Sequence, residues 1–427
     1  MLQSRTEMKS WMRGWRFWLA VVFLVTAALL VIAQDQQTLR VQSPIAADDP
    51  RFAEYVASLV GAPIHTGDQF EVLRNGSEVF PPMLDAIRRA HSRISMESYI
   101  YEDGEVGDQF TAALVDAASR GVVVRIVLDA FGAQLSTATM KKLKDAGITL
   151  VKFNPIRPWT LEETNYRTHR KVLVVDGDVA FTGGIGIADH WIGNADAEEH
   201  WRDTQLQVMG PGVRSLEASF YENWLESGGQ SVPALDPERP PRNAATRTMV
   251  VWSNPTGGAS NVKLLYLLAI AGSRRTIDIE SPYFILDEST EWALNAASAR
   301  GVRIRILTDG DITDAKPVKF ASRQAYERLL ENGFDIYEYV PTMMHVKATM
   351  VDGVFSIAGS ANFDNRSLEL NDELTLAVAD PGLAGALTRD FENDISRAKR
   401  LSLEEWAKRG VLEKSQEWFW SFFGEIF

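Results

Sequence analysis

The sequence predicts an α/β protein built as two tandem copies of one domain, each a mixed sheet flanked by helices. Three observations carry that prediction. One constellation occurs twice: Thr168-His169-Arg170-Lys171 with Asp176-Gly177 and Gly183-Gly184-Ile185-Gly186, then Met344-His345-Val346-Lys347 with Asp352-Gly353 and Gly359-Ser360-Ala361-Asn362. Outside it, Ser119-Arg120-Gly121-Val122-Val123-Val124-Arg125-Ile126 matches Ala299-Arg300-Gly301-Val302-Arg303-Ile304-Arg305-Ile306, Asp129 matches Asp309, and Glu97-Ser98 matches Glu280-Ser281. Within each copy, short apolar runs alternate with stretches of helical periodicity, the pattern of a sheet covered by helices. Two copies are too few for a solenoid, so a pseudo-twofold pair is the expected packing.

Taken in order, residues 1–34 hold an apolar run, Phe17 to Ala33, behind Arg5, Lys9, Arg13 and Arg16. Seventeen residues is at the short end for a spanning helix, with Trp15 and Trp18 placed to anchor one interface. The basic flank predicts a single-pass anchor with the N-terminus inside and everything after Gln34 outside. The alternative is a signal peptide cleaved near Val31-Ile32-Ala33. Residues 35–50 are polar and read as a tether. Residues 51–230 form the first domain, with strands at Ile94–Tyr99, Val122–Leu128 and Ile148–Phe153 and helices at Val106–Ser119 and Thr137–Ala146. Residues 231–247 hold four prolines and read as a linker. Residues 248–400 repeat the domain. The tail, 401–427, is aromatic: as a helix it places Trp418, Phe419, Phe422, Phe423 and Ile426 on one face, suited either to docking on the second domain or to a membrane interface.

Composition narrows the chemistry. A net charge of −13 argues against a nucleic-acid binder, which holds phosphates through a basic face. The chain has no cysteine, which excludes disulfides, thiolate catalysis and Cys-ligated zinc.

Only six histidines are present, and two fall in the duplicated frame. His and Lys two apart in extended chain project from one face. Lysine brings a positive charge to a phosphate oxygen, and imidazole brings a nucleophile or proton carrier. The aspartate lies seven residues on, facing the opposite way and about 23 Å along an extended strand. Asp176 and Asp352 are therefore expected to fix turns rather than orient their own histidines. A catalytic imidazole still needs its second nitrogen held. The candidates are Asp203, in Trp201-Arg202-Asp203-Thr204 downstream of His169, and Glu373, in Asn371-Asp372-Glu373 downstream of His345. Position along the chain pairs Asp203 with His169 and Glu373 with His345.

With these residues laid out, the chain resembles the phospholipase D superfamily, whose signature is H-x-K-x4-D followed by G-[GS]-x-[NS], and within it the bacterial cardiolipin synthases. Thr182-Gly183-Gly184-Ile185-Gly186-Ile187-Ala188-Asp189, Ser281-Pro282-Tyr283-Phe284 and Gly359-Ser360-Ala361-Asn362-Phe363-Asp364-Asn365-Arg366-Ser367 add to the resemblance, which covers about Val79 to Val378. It implies tandem phospholipase D-like domains sharing one active site, with His169, Lys171, Asp176, His345, Lys347 and Asp352 as motif residues and Gly184, Ser360 and Asn362 near the phosphate. It further implies that His169 attacks phosphorus to give a phosphohistidine, while His345 serves as acid and base. Two phosphatidylglycerol molecules would become cardiolipin and glycerol, with no metal or organic cofactor, at a bacterial cytoplasmic membrane with the catalytic domains on its outer side. Oligomeric state is open. The first motif departs from the family by carrying Gly186 where Asn is usual, so the phosphate pocket is expected to be asymmetric.

Rival readings keep the frame and change the acceptor or substrate: hydrolysis, transfer to another alcohol, or a nuclease, which the acidic charge and membrane segment oppose. His65, His91 and His200 have no partner at motif spacing and read as surface or packing residues. His190 is close enough to the first motif to line the pocket. Glu97 and Glu280, near Tyr99 and Tyr283, are explained by hydrogen bonds between sheet and loop. Trp224 and Trp252 read as core aromatics.

Overall fold

A computed structural model describes residues 38–155, 165–243, 245–255 and 260–422. The N-terminal apolar run, its cleavage alternative, Phe423 and Ile426 lie outside the described residues, among which no helix is long and apolar enough to cross a membrane.

The first half runs α1 (Phe52–Val60), β1 (Ile64–Thr66), β2 (Gln69–Arg74), α2 (Asn75–Arg89), β3 (Arg93–Ser98), α3 (Glu105–Ser119), β4 (Val123–Asp129), α4 (Thr137–Asp145), β5 (Thr149–Phe153), β6 (Val172–Val175), β7 (Val179–Gly183), β8 (Thr204–Met209) and α5 (Val213–Glu226). The second runs β9 (Arg247–Trp252), α6 (Asn261–Gly272), β10 (Thr276–Glu280), α7 (Glu288–Ala299), β11 (Arg303–Asp309), α8 (Lys316–Arg323), α9 (Tyr326–Glu331), β12 (Asp335–Tyr339), β13 (Ala348–Val351), β14 (Phe355–Gly359), β15 (Leu374–Ala379), α10 (Pro381–Ser396), β16 (Ala398–Arg400), α11 (Leu403–Ala407) and α12 (Val411–Ser421). The expected strands and helices each fall within two residues of an observed element.

Each half forms one mixed sheet. The orders are β2-β8-β7-β6-β3-β4-β5 and β1-β9-β15-β14-β13-β10-β11-β12-β16, so β3 to β8 correspond one for one with β10 to β15. In both, a parallel trio (β3-β4-β5, β10-β11-β12) adjoins an antiparallel hairpin (β6-β7, β13-β14). The helix-then-glycine junctions at Gly121 and Gly301, φ 90 and 87, end the crossover helices as the duplication requires. Strands β6, β13 and β14 are buried throughout, and β6 is apolar at every position.

The first domain boundary differs from the expected residue 51. Strand β1 pairs with β9, at the edge of the second sheet. Phe52, Ala53, Val56 and Val60 of α1 join the core formed by Met249, Leu265, Ile277 and Phe355. The apolar face of α1 has to be buried somewhere, and Gly272 leaves room for the Phe52 ring. A third cluster draws on both halves, with Val172, Leu206, Phe220 and Trp224 packed among Val250, Met344, Leu376 and Phe391. Val41–Phe427 is accordingly one compact unit.

Of the two readings of the tail, docking through the aromatic face is not what the structure has. The docked face of α12 is its charged one: Glu413 meets Arg323 of α8 at 3.2 Å, and Glu417 pairs with Arg409, which stacks over buried Trp406. Trp418, Phe419 and Phe422 are 61, 51 and 62% exposed.

Candidate active site

The motif histidines sit just ahead of β6 and β13, where the chain leaves the sheet toward the other half. Thr168 forms a parallel bridge with Asp372, and the His169 N–H donates to the Asp372 carbonyl at 2.9 Å. Arg202 bridges Met344 in the mirror arrangement, and the His345 N–H donates to the Arg202 carbonyl at 2.7 Å. Each histidine backbone is thus tied to the residue immediately before the other half's carboxylate.

The imidazoles follow the backbone. His169 Nδ1 lies 2.9 Å from Glu373 Oε1, and His345 Nδ1 lies 2.8 Å from Asp203 Oδ2. The orienting carboxylates are those read from the sequence, but the pairing is crossed. The reason is topological: β6 and β8, or β13 and β15, are separated by one strand, so each histidine stands roughly 10 Å across the sheet from its own half's carboxylate. The bridged segment of the other half is one hydrogen bond away.

Two buried arginines hold the bridging segments. Arg170 Nη1 donates to the Ser219 carbonyl and Nη2 to the Ser253 carbonyl and Glu222, with Asp372 at 3.9 Å. Arg202 donates to Asp394 at 2.8 Å and to Thr204 Oγ1. Neither role is marked by motif spacing.

Both carboxylates and His345 are almost fully buried, and His169 keeps a side-chain exposure of 12%. Burial lowers the His169 pKa to about 4, against the pull of Glu373, and lowers His345 well below the usual imidazole range, with Lys347 and Lys171 adding repulsion. Burial lifts Asp203 to about 6, although Lys347, the Thr204 N–H and the Trp191 indole oppose it. Glu373 is lowered because His169, Lys171 and Ser360 outweigh its burial. With the carboxylates ionised and the imidazoles neutral, each Nδ1 carries its hydrogen toward oxygen and each Nε2 presents a lone pair.

Lys171 Nζ donates to the His169 carbonyl at 2.8 Å and lies over the Tyr99 ring, and Lys347 Nζ donates to the His345 carbonyl at 2.6 Å. Burial lowers them to about 7 and about 8, with Glu373 and Asp203 respectively pulling back most strongly. Asn362 is buried, and its Oδ1 has no hydrogen-bond partner among the described residues.

Four motif positions take other duties. Asp176 accepts the N–H groups of His91, Ser92 and Arg93, and Asp352 those of Arg274, Arg275 and Thr276. Both sit in left-handed turns, φ 54 and 55, at the far ends of β6 and β13. They pin the entry to β3 and β10, the turn-fixing role expected of them, and are not brought to the imidazoles, so these two motif residues are not catalytic groups. The Ser360 hydroxyl is fully buried and donates to Glu373, so it acts on a carboxylate rather than on phosphate. Gly184 lies directly against Asp203, and its carbonyl favours the protonated His345 ring.

Sequence reasoning missed the aromatic wall. Trp191 and Trp201 flank His345 at ring-centroid distances of 5.7 and 5.4 Å, and Tyr99 meets His169 edge-on at 5.3 Å. His190 stacks on Trp201 at 4.8 Å with its own ring half exposed, at the outer side of this wall. His65 bonds Ser215, His91 pairs with the turn aspartate Asp176, and His200 meets Asp196, none of them at the paired imidazoles. Glu97 accepts from Thr168 and Asn223, the sheet-to-loop bond expected of it. Glu280 lies instead beside Asp394 and Arg202.

Two imidazoles on carboxylates, with a lysine beside each, define a class: double-histidine phosphodiester enzymes of phospholipase D type. The comparisons agree. The family described as "Cardiolipin synthase, PLD-like domain" matches residues 83–198 and 266–395. Cardiolipin synthase 1 of Bacillus anthracis is 32% identical over 392 residues, covering 89% of this chain and 77% of that one. Cardiolipin synthase of Geobacillus kaustophilus is 34% identical over 352 residues, covering 81% and 70%. A phosphatidylserine synthase structure from Haemophilus influenzae shares the fold with a TM-score of 0.70 at 13% identity, over 88% of this chain and all of that one. The chain belongs to the cardiolipin synthase family of phospholipase D-like proteins.

Proposed function

We propose that the protein is a phosphatidyltransferase of cardiolipin synthase type, joining two phosphatidylglycerol molecules into cardiolipin and glycerol. The observation that carries this reading is the crossed pair of imidazoles: each has Nδ1 fixed by a buried carboxylate, which assigns the chemistry to Nε2. His169 Nε2 attacks phosphorus and the phosphorus–oxygen bond to glycerol breaks. His345 gives its Nε2 proton to the departing glycerol oxygen. His345 then takes the proton of a hydroxyl on a second phosphatidylglycerol, whose oxygen displaces His169 from phosphorus. Lys171 and Lys347 meet the charge on the non-bridging oxygens, the main electrostatic demand of phosphoryl transfer. A bound diester anion raises the pKa of His345, so that it becomes protonated as the substrate enters. Asn362, buried on the second motif, carries side-chain N–H donors of the kind a phosphate oxygen accepts.

The substrate is a membrane lipid, and the reading places the catalytic unit against a bilayer. The Phe17–Ala33 run supports a single-pass anchor with the catalytic halves on the outer side. The exposed Trp418, Phe419 and Phe422 support a second contact, since aromatic side chains favour the headgroup region.

The test supplies purified protein with labelled phosphatidylglycerol and identifies products by mass. Cardiolipin with equimolar glycerol is expected. Phosphatidic acid as the sole product would make water the acceptor, and DNA cleavage without lipid turnover would overturn the reading.

A further inference from the structure

The two halves superpose in topology but hold their buried carboxylates differently. Glu373 receives the Ser360 hydroxyl on the turn after β14. The equivalent residue after β7 is Gly184, and a Cβ there would run into the Asp203 carboxylate, so no serine fits. Asp203 is served from another direction. Trp191 Nε1 donates at 3.0 Å to Asp203 Oδ2, the same oxygen that accepts from His345 Nδ1.

The indole is fixed on every side. Trp191 has no exposed surface, and it ends the short turn Asp189–Trp191. Asp189 in that turn accepts the N–H groups of Glu105 and Val106 at the start of α3. The ring also accounts for the departure at Gly186. A Cβ at that position would lie 2.9 Å from Ile100 Cβ and 3.1 Å from Trp191 Cζ3, so the space an asparagine side chain would need is taken. The two glycines thus serve one arrangement: Gly186 makes room for the indole, and Gly184 for the carboxylate that the indole holds.

We propose that Trp191 is the positioning residue of the proton-transfer half of the site, fixing Asp203 and through it His345, as Ser360 fixes Glu373 and His169. The donors are not equivalent. A serine hydroxyl rotates and also accepts, as it does here from the Leu374 N–H, whereas an indole N–H only donates along one fixed direction. Trp191 therefore favours the ionised carboxylate in one orientation, and its ring excludes water from one face of His345. The assignment rests on the reading of His345 as acid and base.

The test is Trp191→Phe, which keeps a ring and loses the N–H, alongside benzothienylalanine at position 191, which keeps the bicyclic shape as well. Removing the donor lets the carboxylate pKa rise, and the reaction needs the carboxylate ionised. The acidic limb of the kcat/KM profile should therefore move to higher pH, by about half a unit to one unit. Turnover of phosphatidylglycerol should fall about 10- to 100-fold at neutral pH, the worth of one hydrogen bond to a charged group. The loss should largely vanish from the burst of p-nitrophenolate given by a p-nitrophenyl ester, whose leaving group departs without a proton. An unmoved limb, or equal losses for both leaving groups, would overturn the proposal and leave the indole as packing. If the wild-type protein makes phosphatidic acid rather than cardiolipin, the acceptor reading fails, yet limb and leaving group still test Trp191, because water too must give up a proton. If His345→Ala leaves all phosphatidyl transfer intact, the site reading fails and the proposal falls with it.

Discussion

The crossed pairing makes a prediction that same-half pairing contradicts: Glu373→Gln should behave like a loss of His169, and Asp203→Asn like a loss of His345. In Glu373→Gln the amide nitrogen can face His169 Nδ1 in place of the oxygen now at 2.9 Å. The ring then accepts at Nδ1 and carries its hydrogen on Nε2, so the nucleophilic lone pair is gone. Loss of the correct tautomer costs about 10⁴ in comparable triads, or about 5 kcal/mol of barrier. That loss should be the same for glycerol and p-nitrophenolate as leaving groups, because attack fails in both. In Asp203→Asn the imidazolium of His345 loses its counter-charge at 2.8 Å, and general-acid catalysis worth about 10²–10⁴ disappears. A glycerol leaving group would suffer that loss. A p-nitrophenyl ester of phosphatidic acid would still give a burst of p-nitrophenolate, followed by accumulation of a phosphatidyl-histidine that no base helps to resolve. Rapid-quench kinetics and intact-protein mass spectrometry of the two variants, beside His169→Ala and His345→Ala, decide the matter. A burst from Glu373→Gln together with none from Asp203→Asn would refute the crossed assignment.

Four further outcomes are expected. The kcat/KM profile should fall below about pH 6, where buried Asp203 takes up a proton, and above about pH 7 to 8, where Lys171 and Lys347 lose theirs; because a bound diester anion raises both lysines, the basic limb of kcat should lie at higher pH. Asp352→Ala leaves three backbone N–H groups without their acceptor and should cost about 2–4 kcal/mol, lowering Tm by about 5 °C in a melting experiment while turnover per folded molecule at 25 °C stays within about threefold. Gly186→Asn restores the family residue and should overpack against Ile100 and Trp191 at about 1–3 kcal/mol, so chemical denaturation and activity should both show a loss rather than a gain. Replacing exposed Trp418, Phe419 and Phe422 with Ser should weaken binding to phosphatidylglycerol vesicles by about tenfold or more in a flotation assay, with a much smaller effect on monomeric short-chain substrate.

What the sequence made legible follows a physical divide. Periodicity and duplication located the strands and helices, because β3–β8 and β10–β15 are local apolar patterns copied once. Strand parity ruled Asp176 and Asp352 away from their histidines, and both sit in turns at the far ends of β6 and β13. Partnership across the two halves was not legible. Whether Asp203 faces His169 or His345 depends on strand order and on the bridges at Thr168 and Arg202, which no spacing along the chain encodes. The same holds for α1, whose amphipathic pattern requires burial but does not say against which sheet. For α12 the aromatic stripe left docking and a membrane interface both open, and the pattern does not show that Glu413 and Glu417 supply the anchor and leave the stripe exposed.

Crossing has a consequence for why the duplication stays in one chain. If each histidine were held by its own half, a half could fold with a working imidazole and the pair would add only a second. Here His169 without the second half loses its backbone partner Asp372 and its side-chain partner Glu373 together, and His345 without the first loses Arg202 and Asp203. The buried arginines reinforce this coupling, since Arg170 of the first half reaches the Ser253 carbonyl of the second and Arg202 reaches Asp394. A buried guanidinium stripped of its partners is strongly destabilising, by about 3–5 kcal/mol. Misdocked halves are therefore penalised in stability as well as in chemistry, and the phosphate site exists only in the correctly closed pair. Once docking is guaranteed in this way, the two sides are free to diverge, and Gly184, Gly186 and Trp191 on one side against Ser360 and Asn362 on the other mark where they have.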